Sequence, residues 1–559
     1  MRFEVKEFKG IRPSRAADLL ENGEAVLAQN CKLSGGVLEP LSVPGALTGG
    51  TVNVAAGTTS VYRFGQANAS DVLSWFQSTL DCDFVKGPVV NDSEERTYWT
   101  DGVYPKKTNV ALATSAPPYP SNSYRMGVPV PASAGAQALS GAATNAADPA
   151  ETVIYCMTYV TAWGEEGPPC VVSSSLDIKP GMSVSFTALP VVPAGVSPAP
   201  NSANTAITGK RLYRSATGSS STKFQLVNTE GDIDVAATTY TDSKLTRNLG
   251  DVLVTTGWIA PPDAMQGLCA MANGILAGFT GNTLCFSVPF APYAWPLRYR
   301  QSVDAPIVGI MGFDQSLFVG TVSSVYIFTG TDPAQMTSER VPYAMSLTSK
   351  RSMVSMLGGV VFSAPTGLHL INSAGVKNLT RGYMTAAEWR NYGLSAMHSY
   401  EYEGRYLGFQ GGGGSGGIIF TFNDNFSIST HDVQVTAGYR GVRTGALYVV
   451  SSLAPNTIQK WETGLTKMSQ SWTSGIFNSP MPVNMGAARV MADAYPVTFF
   501  GQTDNLAVDS IIVNDIFPFR LPADKKGRRY SFYVLGTAVV REVVVATTMR
   551  ELGQGDTRG

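Results

Sequence analysis

Between residues 268 and 423 the hydrophobic positions recur in one pattern, two short apolar runs around a glycine-rich turn. Units begin at Leu268 (LCAMANGILAGFTGNTLCFSVP), Ile307 (IVGIMGFDQSLFVGTVSSVYIFTG), Met353 (MVSMLGGVVFSAPTGLHLINSAG) and Ala396 (AMHSYEYEGRYLGFQG), with a weaker fifth from Gln434. Short apolar runs bounded by turn signals read as strands. Their starts are separated by about 40 residues, the length of one four-stranded propeller blade. The pattern predicts an all-β chain organised around a β-propeller.

A different pattern occupies residues 152–248. Apolar residues alternate there, as in Tyr155, Met157 and Tyr159 or Phe224 and Leu226, which marks half-buried antiparallel strands. The aromatic strand, the Gly-Glu-Glu-Gly-Pro-Pro turn and the run from Lys210 to Ser215 resemble a fibronectin type III-like β-sandwich, and the length suits that fold. Strand-rich sequence on both sides predicts that it is inserted into the propeller and displayed outside it. Residues 116–151 are rich in Ala, Ser, Pro and Gly and read as a linker. The expected order is therefore N-terminal blades (1–115), linker (116–151), sandwich (152–248), propeller repeats (249–489) and C-terminal strands closing the propeller (490–559).

The opening residues read as a strand, a turn at Gly10-Ile11-Arg12-Pro13, a short helical stretch, and Gly35-Gly36 leading into another strand. This Gly-Ile-x-Pro opening is followed by an Ala-x-Asn step (Ala28 to Asn30), Pro40, and a run from Gly87 to Tyr98 that ends at Pro105-Lys106. Together these words resemble structural proteins of tailed bacteriophages, and more narrowly the tail nozzle proteins of short-tailed phages, also called tail tubular protein B. The resemblance covers the first 110 or so residues best and returns at Met549-Arg550-Glu551-Leu552. It implies a structural virion protein, made in the host cytoplasm and resident in the tail. Such a protein forms a homo-hexameric ring that prolongs the DNA-ejection channel, attached to the adaptor (head-to-tail connector) protein and to needle, knob or fibre proteins. Under this resemblance 490–559 is alternatively a tail-platform region.

Charge sharpens this expectation. Lys and Arg total 41 against 42 Asp and Glu, and charged residues make up only 15% of the chain, below the usual quarter. Side faces poor in charge suit burial between subunits. A channel through which DNA slides must not trap phosphates on a basic lining, so genomic DNA is expected to pass without sequence-specific binding. One basic cluster stands out at a glycine turn: Lys525, Lys526, Arg528 and Arg529. Such charges are usually solvated; the functional alternative is contact with DNA or an acidic partner.

The remaining chemistry is sparse. Six scattered cysteines without a CxxC pair read as free buried thiols. The charged first nine residues do not make a signal peptide, and no apolar run is long enough to span a bilayer. His369, His398 and His431 form no ligand cluster, and Cys82 between Asp81 and Asp83 falls short of a zinc site. The glycines at 411–417 match a Gly-x-Ser-x-Gly string around Ser415, but a strand follows where a hydrolase or phosphate loop needs a helix. For glycan hydrolysis the candidate carboxylates are Glu165 with Glu166, or Asp92, Glu94 and Glu95; as turn residues they are expected to face water. Tyr293 and Trp295, near Arg298 and Arg300, offer a sugar-stacking alternative to core packing. No enzyme activity, cofactor, metal or membrane anchor is expected, and the rival functions are a receptor-binding adhesin and a tail-borne glycan hydrolase.

Overall fold

The structure is a computed structural model that describes residues 1–65, 70, 72, 74–192, 206–216, 223–341, 345–410, 416–422, 426–504, 506–507 and 510–553. It is almost entirely β and built of many small sheets. Among the described residues the only α-helices are Val110–Ala113, Ala386–Arg390 and Met549–Gly553, and no helix is long and apolar enough to cross a membrane.

The first four hydrophobic repeats each contribute four strands that pair with one another in chain order. The first comprises Gln266–Ala270, Leu276–Thr280, Thr283–Phe286 and Gln301–Ser302. The second comprises Ile307–Phe313, Ser316–Thr321, Val325–Thr329 and Thr337–Arg340. Val354–Met356, Gly359–Ala364, Gly367–Asn372 and Gly375–Asn378 form the third, and His398–Tyr402, Arg405–Phe409, Gly417–Thr421 and Ser427–His431 the fourth. The weaker fifth repeat is three-stranded, from Val435–Arg440 through Leu447–Ser451 to Ile458–Lys460. The recurring glycine has a geometric cause. Leu357 with Gly358 and Glu403 with Gly404 have positive φ at both positions, the two-residue turn whose twist matches that of the strands it joins.

The chain divides into two compact units, Met1–Thr79 with Gly320–Val325 and Val341–Gly559, and Leu80–Val319 with Tyr326–Arg340. In the first unit the fourth repeat does not end at its fourth strand. Ala25–Gln29 lies parallel to Ser427–His431, with Gln29 opposite Thr430, and antiparallel to Gln470–Ser474, with Ala28 opposite Trp472. Lys526–Gly536 and Val497–Thr503 extend the same sheet, which reaches eleven strands. Arg2–Val5 pairs with Val540–Ala546, Phe3 opposite Val545. The core beneath holds Phe8 edge-on to Trp472 at 5.0 Å, with Ile428, Phe499, Phe532 and Val543 also buried.

The opening motif is stitched into this unit. Ile11 N–H donates to Ile428 O at 2.8 Å, and Ala25 N–H donates to Gly10 O at 3.0 Å. A Cβ on Gly10 would lie 2.3 Å from Ile428 O, so only glycine fits there. The short helix expected after Pro13 does not form. Residues 14–24 are a run of turns, because tertiary partners take their backbone groups: Ser14 N–H donates to Tyr383 O and Ile476 N–H to Ala17 O.

The second unit contains two antiparallel sheets that share a core. Ala136–Ser140, Ser183–Thr187 and Tyr240–Asp242 form one; Tyr155–Thr161, Ile207–Ala216, Lys223–Leu226 and Ile233–Asp234 form the other. Tyr155 meets Phe186 across them at 4.9 Å, and Met157, Val184 and Leu212 fill the space between. Ala136–Ser140 falls within the stretch whose composition suggested a linker. It is instead the strand opposite Ser183–Thr187, Ala138 facing Ser185: backbone pairing needs no large side chains, so small residues hide an edge strand. The same unit holds the four-stranded sheet of Asp83–Lys86, Thr97–Thr100, Lys106–Thr108 and Tyr124–Arg125.

Candidate functional site

The basic cluster lies at the start of strand Lys526–Gly536 rather than wholly in a turn. Two neighbours flank that end: Val497–Thr503, with Thr503 opposite Tyr530, and Phe477–Asn484, with Asn478 opposite Arg529 and Asn484 opposite Lys526. The register slips between Asn478 and Val483, a bulge of the kind that re-aims side chains. Tyr530 anchors the strand from below, its hydroxyl donating to Gly527 O, while Phe477 stacks on Phe532 at 5.5 Å.

Asp504 organises the cationic end through the backbone. Its carboxylate accepts the N–H groups of Arg528 and Arg529, both at 2.9 Å. Lys526, Arg528 and Arg529 are exposed and Lys525 half-buried. Among the described residues none of the first three has an ion-pair partner, and Lys525 has only a loose one, Asp524 at 3.9 Å. The exposed apolar side chains of Met481, Ile512 and Phe517 belong to the same group of strands and their connections. Such a group of exposed cations attracts an anionic surface by long-range Coulomb force.

The carboxylates proposed from the sequence part company. Asp92 caps its own turn, accepting from the N–H groups of Glu94 and Arg96, and Glu94 accepts from the Asn109 amide. Glu165 and Glu166 do not face water, contrary to the turn-based expectation: they are 6% and 8% exposed. Glu165 is ion-paired with Lys107, which is fully buried, and takes a hydrogen bond from Thr161. Glu166 accepts from Arg211, Tyr213 and Thr158, each at 2.7 Å. The Lys107 ammonium sits 4.9 Å from the centre of the Trp163 ring, over which Arg96 also lies at 5.7 Å. Buried carboxylates persist only when paired, so the turn folds inward because the neighbouring strands supply its cations. Burial, then Glu166, raises the Tyr213 phenol, and burial, then Glu165, pushes Tyr293 up to about 12, keeping both phenols neutral. Two carboxylates each held by their own cation make a structural network, not a hydrolytic dyad.

Trp295 is 1% exposed, its indole N–H on Pro292 O at 2.7 Å, so it is core and not a stacking platform. Tyr293 packs on Trp258 at 6.1 Å. The cysteines are free; Cys269 is half-buried and the other five are buried. Burial pushes Cys285 up to about 11, which leaves it the unreactive thiol. His431 lies between Phe409 at 4.9 Å and Trp461 at 5.7 Å, and burial lowers it to about 4. Among the described residues no three His, Cys, Asp or Glu side chains gather to hold a metal. Most of the glycine loop, 411–415 with Ser415, lies outside the described residues; the strand Gly417–Thr421 follows it.

Sequence reasoning missed Lys107, Trp163 and Arg211 as partners of the two glutamates. The available signal was the Trp163-Gly-Glu-Glu turn itself, an aromatic beside two acids.

No family model and no curated protein sequence matches the chain. Similar solved structures include virginiamycin B lyase from Staphylococcus aureus, at 11% identity over 68% of this chain and 98% of that one, with a TM-score of 0.26. Hsv2 from Kluyvelomyces marxianus is similar at 11% identity over 43% of this chain and 69% of that one, with a TM-score of 0.23. Likenesses of this size carry neither a fold nor an activity to this chain.

Proposed function

We propose that the chain is the nozzle subunit of a short bacteriophage tail, a structural virion protein that assembles as a homo-hexameric ring prolonging the DNA-ejection channel. In this reading the four-stranded repeats are blades of a β-propeller, and the two-sheet body in the second unit is a fibronectin type III-like insert. The adaptor ring binds above, needle, knob or fibre proteins below, and DNA passes through without being read. The exposed Lys526, Arg528 and Arg529 serve as a contact for an acidic partner ring or for passing phosphates.

The observation that carries this reading is the work done by the residues that bear the resemblance. Ile11 bonds the opening segment to Ile428, which Gly10 lets approach closely, and Asn30 ties it to Asp432. These words specify how a rigid body is closed, and the carboxylates offered for hydrolysis are spent on Lys107 and Arg211. A wall needs such a body and no pocket chemistry.

The test is to raise antibody against the purified chain and label intact virions. Gold at the tail, below the head-to-tail junction, is the expected result; label on the capsid, or none on virions, overturns the proposal. Release of reducing sugar from host polysaccharide, lost on replacing a named carboxylate in a variant that keeps the parent's melting temperature, would establish the hydrolase instead. Saturable attachment of the purified protein to host cells, with no tail label below the junction, would establish the adhesin.

A further inference from the structure

Two open cavities of similar size differ in how their charges are balanced. The one in the first unit, about 230 Å³, is lined by Lys9 and Arg12 against Glu7, Glu21 and Glu24. Arg12 is consumed there, 2.6 Å from the Glu24 carboxylate and over the Tyr383 ring at 5.0 Å. The other, about 300 Å³, opens at one end of the two-sheet body, between the turn at 178–183 and the turn at 243–247. Its wall sets Lys179, Lys244 and Arg247 against a single acid, Glu151.

That acid is already occupied. The Glu151 carboxylate accepts from the Thr246 hydroxyl. Arg214, buried behind the same turn, donates to that hydroxyl at 3.3 Å and to Lys244 O at 2.9 Å. Asp242 balances Arg214 at 2.7 Å with both side chains out of solvent, and Lys244 reaches Glu230 at 2.7 Å. Among the described residues Lys179 donates only to Ala146 O. Among the described residues neither Lys179 nor Arg247 has a carboxylate partner, although the whole chain has one more acid than base. The rim is also preformed: Val184 pairs with Asp242 and Glu151 with Ile178, so strands fix both turns. Ser183 and Ser243 also line the cavity.

We propose that this cleft binds an oxyanion carried on a sugar, with the carboxylate or phosphate held between Lys179 and Arg247 and ring hydroxyls facing Ser183 and Ser243. Unmatched cations on a concave wall focus an attractive field, and a guanidinium suits the two-oxygen edge of either anion. The site is independent of the ring assembly proposed above, since its residues all belong to the second unit.

The test is calorimetric titration of the full-length protein with a hexasaccharide of alternating glucuronate and N-acetylglucosamine, with neutral maltohexaose and with inorganic phosphate. The acidic hexasaccharide is expected to bind and maltohexaose not to. Lys179→Glu with Arg247→Glu is expected to weaken binding by about tenfold or more, as loss of a charge-assisted contact does. If the double reversal lowers the melting temperature, Lys179→Gln with Arg247→Gln is the variant to read, with the same loss expected. Competition by phosphate identifies the bare oxyanion as the group read; failure to compete identifies the carboxylated sugar. Absence of binding, equal binding of maltohexaose, or binding unchanged in the folded variant overturns the proposal.

Discussion

Asn30 and Asp432, some four hundred positions apart in the chain, are joined by two hydrogen bonds: the Asn30 side-chain amide N–H donates to the Asp432 carboxylate at 3.0 Å, and the Asp432 backbone N–H donates to Asn30 Oδ1 at 3.1 Å. Asn30 has φ 55°, a left-handed conformation that Asn tolerates better than most residues. It is 4% exposed and also donates to Ser469 O. Asn30→Ala removes these bonds, leaves Ser469 O without this donor and keeps the strained backbone. The expected cost is about 2–4 kcal/mol, read as a lower denaturation midpoint; an unchanged midpoint would show that this link is dispensable.

Lys107 and Glu165 behave as a unit. Removing one partner of a buried ion pair leaves the other charge stranded, at a cost of about 3–5 kcal/mol, whereas replacing both with apolar groups is often near neutral. Lys107→Met alone is therefore expected to destabilise strongly, and Lys107→Met with Glu165→Leu to recover most of the loss. Additive losses in the double variant would contradict a coupled pair.

His431 makes stability depend on acid. Its folded value, near 4, is below the 6.5 of the free side chain, so the unfolded chain takes up the proton first. Its contribution is fully present above pH 6.5, declines as pH falls from there and is gone below about 4, a loss of about 3 kcal/mol. Asp432 opposes the lowering and His398 adds to it. His431→Phe is expected to flatten the stability profile across that window; a profile as steep as the parent's would place the acid sensitivity elsewhere.

Much of this architecture was legible in the sequence, because it is local. The repeats, their strand order and their glycine turns follow from apolar runs and two-residue hairpins such as Glu403-Gly404, where near neighbours decide the structure. What was not legible is non-local. Nothing in Ala25–Gln29 announces that it will lie between Ser427–His431 and Gln470–Ser474, and although Trp163 beside two acids hints at an inward turn, nothing there names Lys107 as the cation, which a distant strand supplies. The edge strand Ala136–Ser140 escaped for a related reason: its pairing is carried by backbone, and its small side chains read as linker.

The basic strand end is predicted to act on partners and not on folding. Replacing Lys525, Lys526, Arg528 and Arg529 with Gln leaves the Asp504 bonds intact, since those use backbone N–H groups, and is expected to shift the melting temperature by no more than a few degrees. Incorporation into tails, or retention of packaged DNA, should fall in complementation of a phage lacking the native gene. Normal assembly and DNA retention with all four charges removed would show that the cluster is merely solvated.

The central claim, a wall around a DNA channel, is tested most directly by the rotational symmetry of this protein within isolated tails, measured by electron cryomicroscopy. Six copies around an open centre wide enough for duplex DNA is the predicted result. A compact trimer, or a ring with no axial opening, would contradict it.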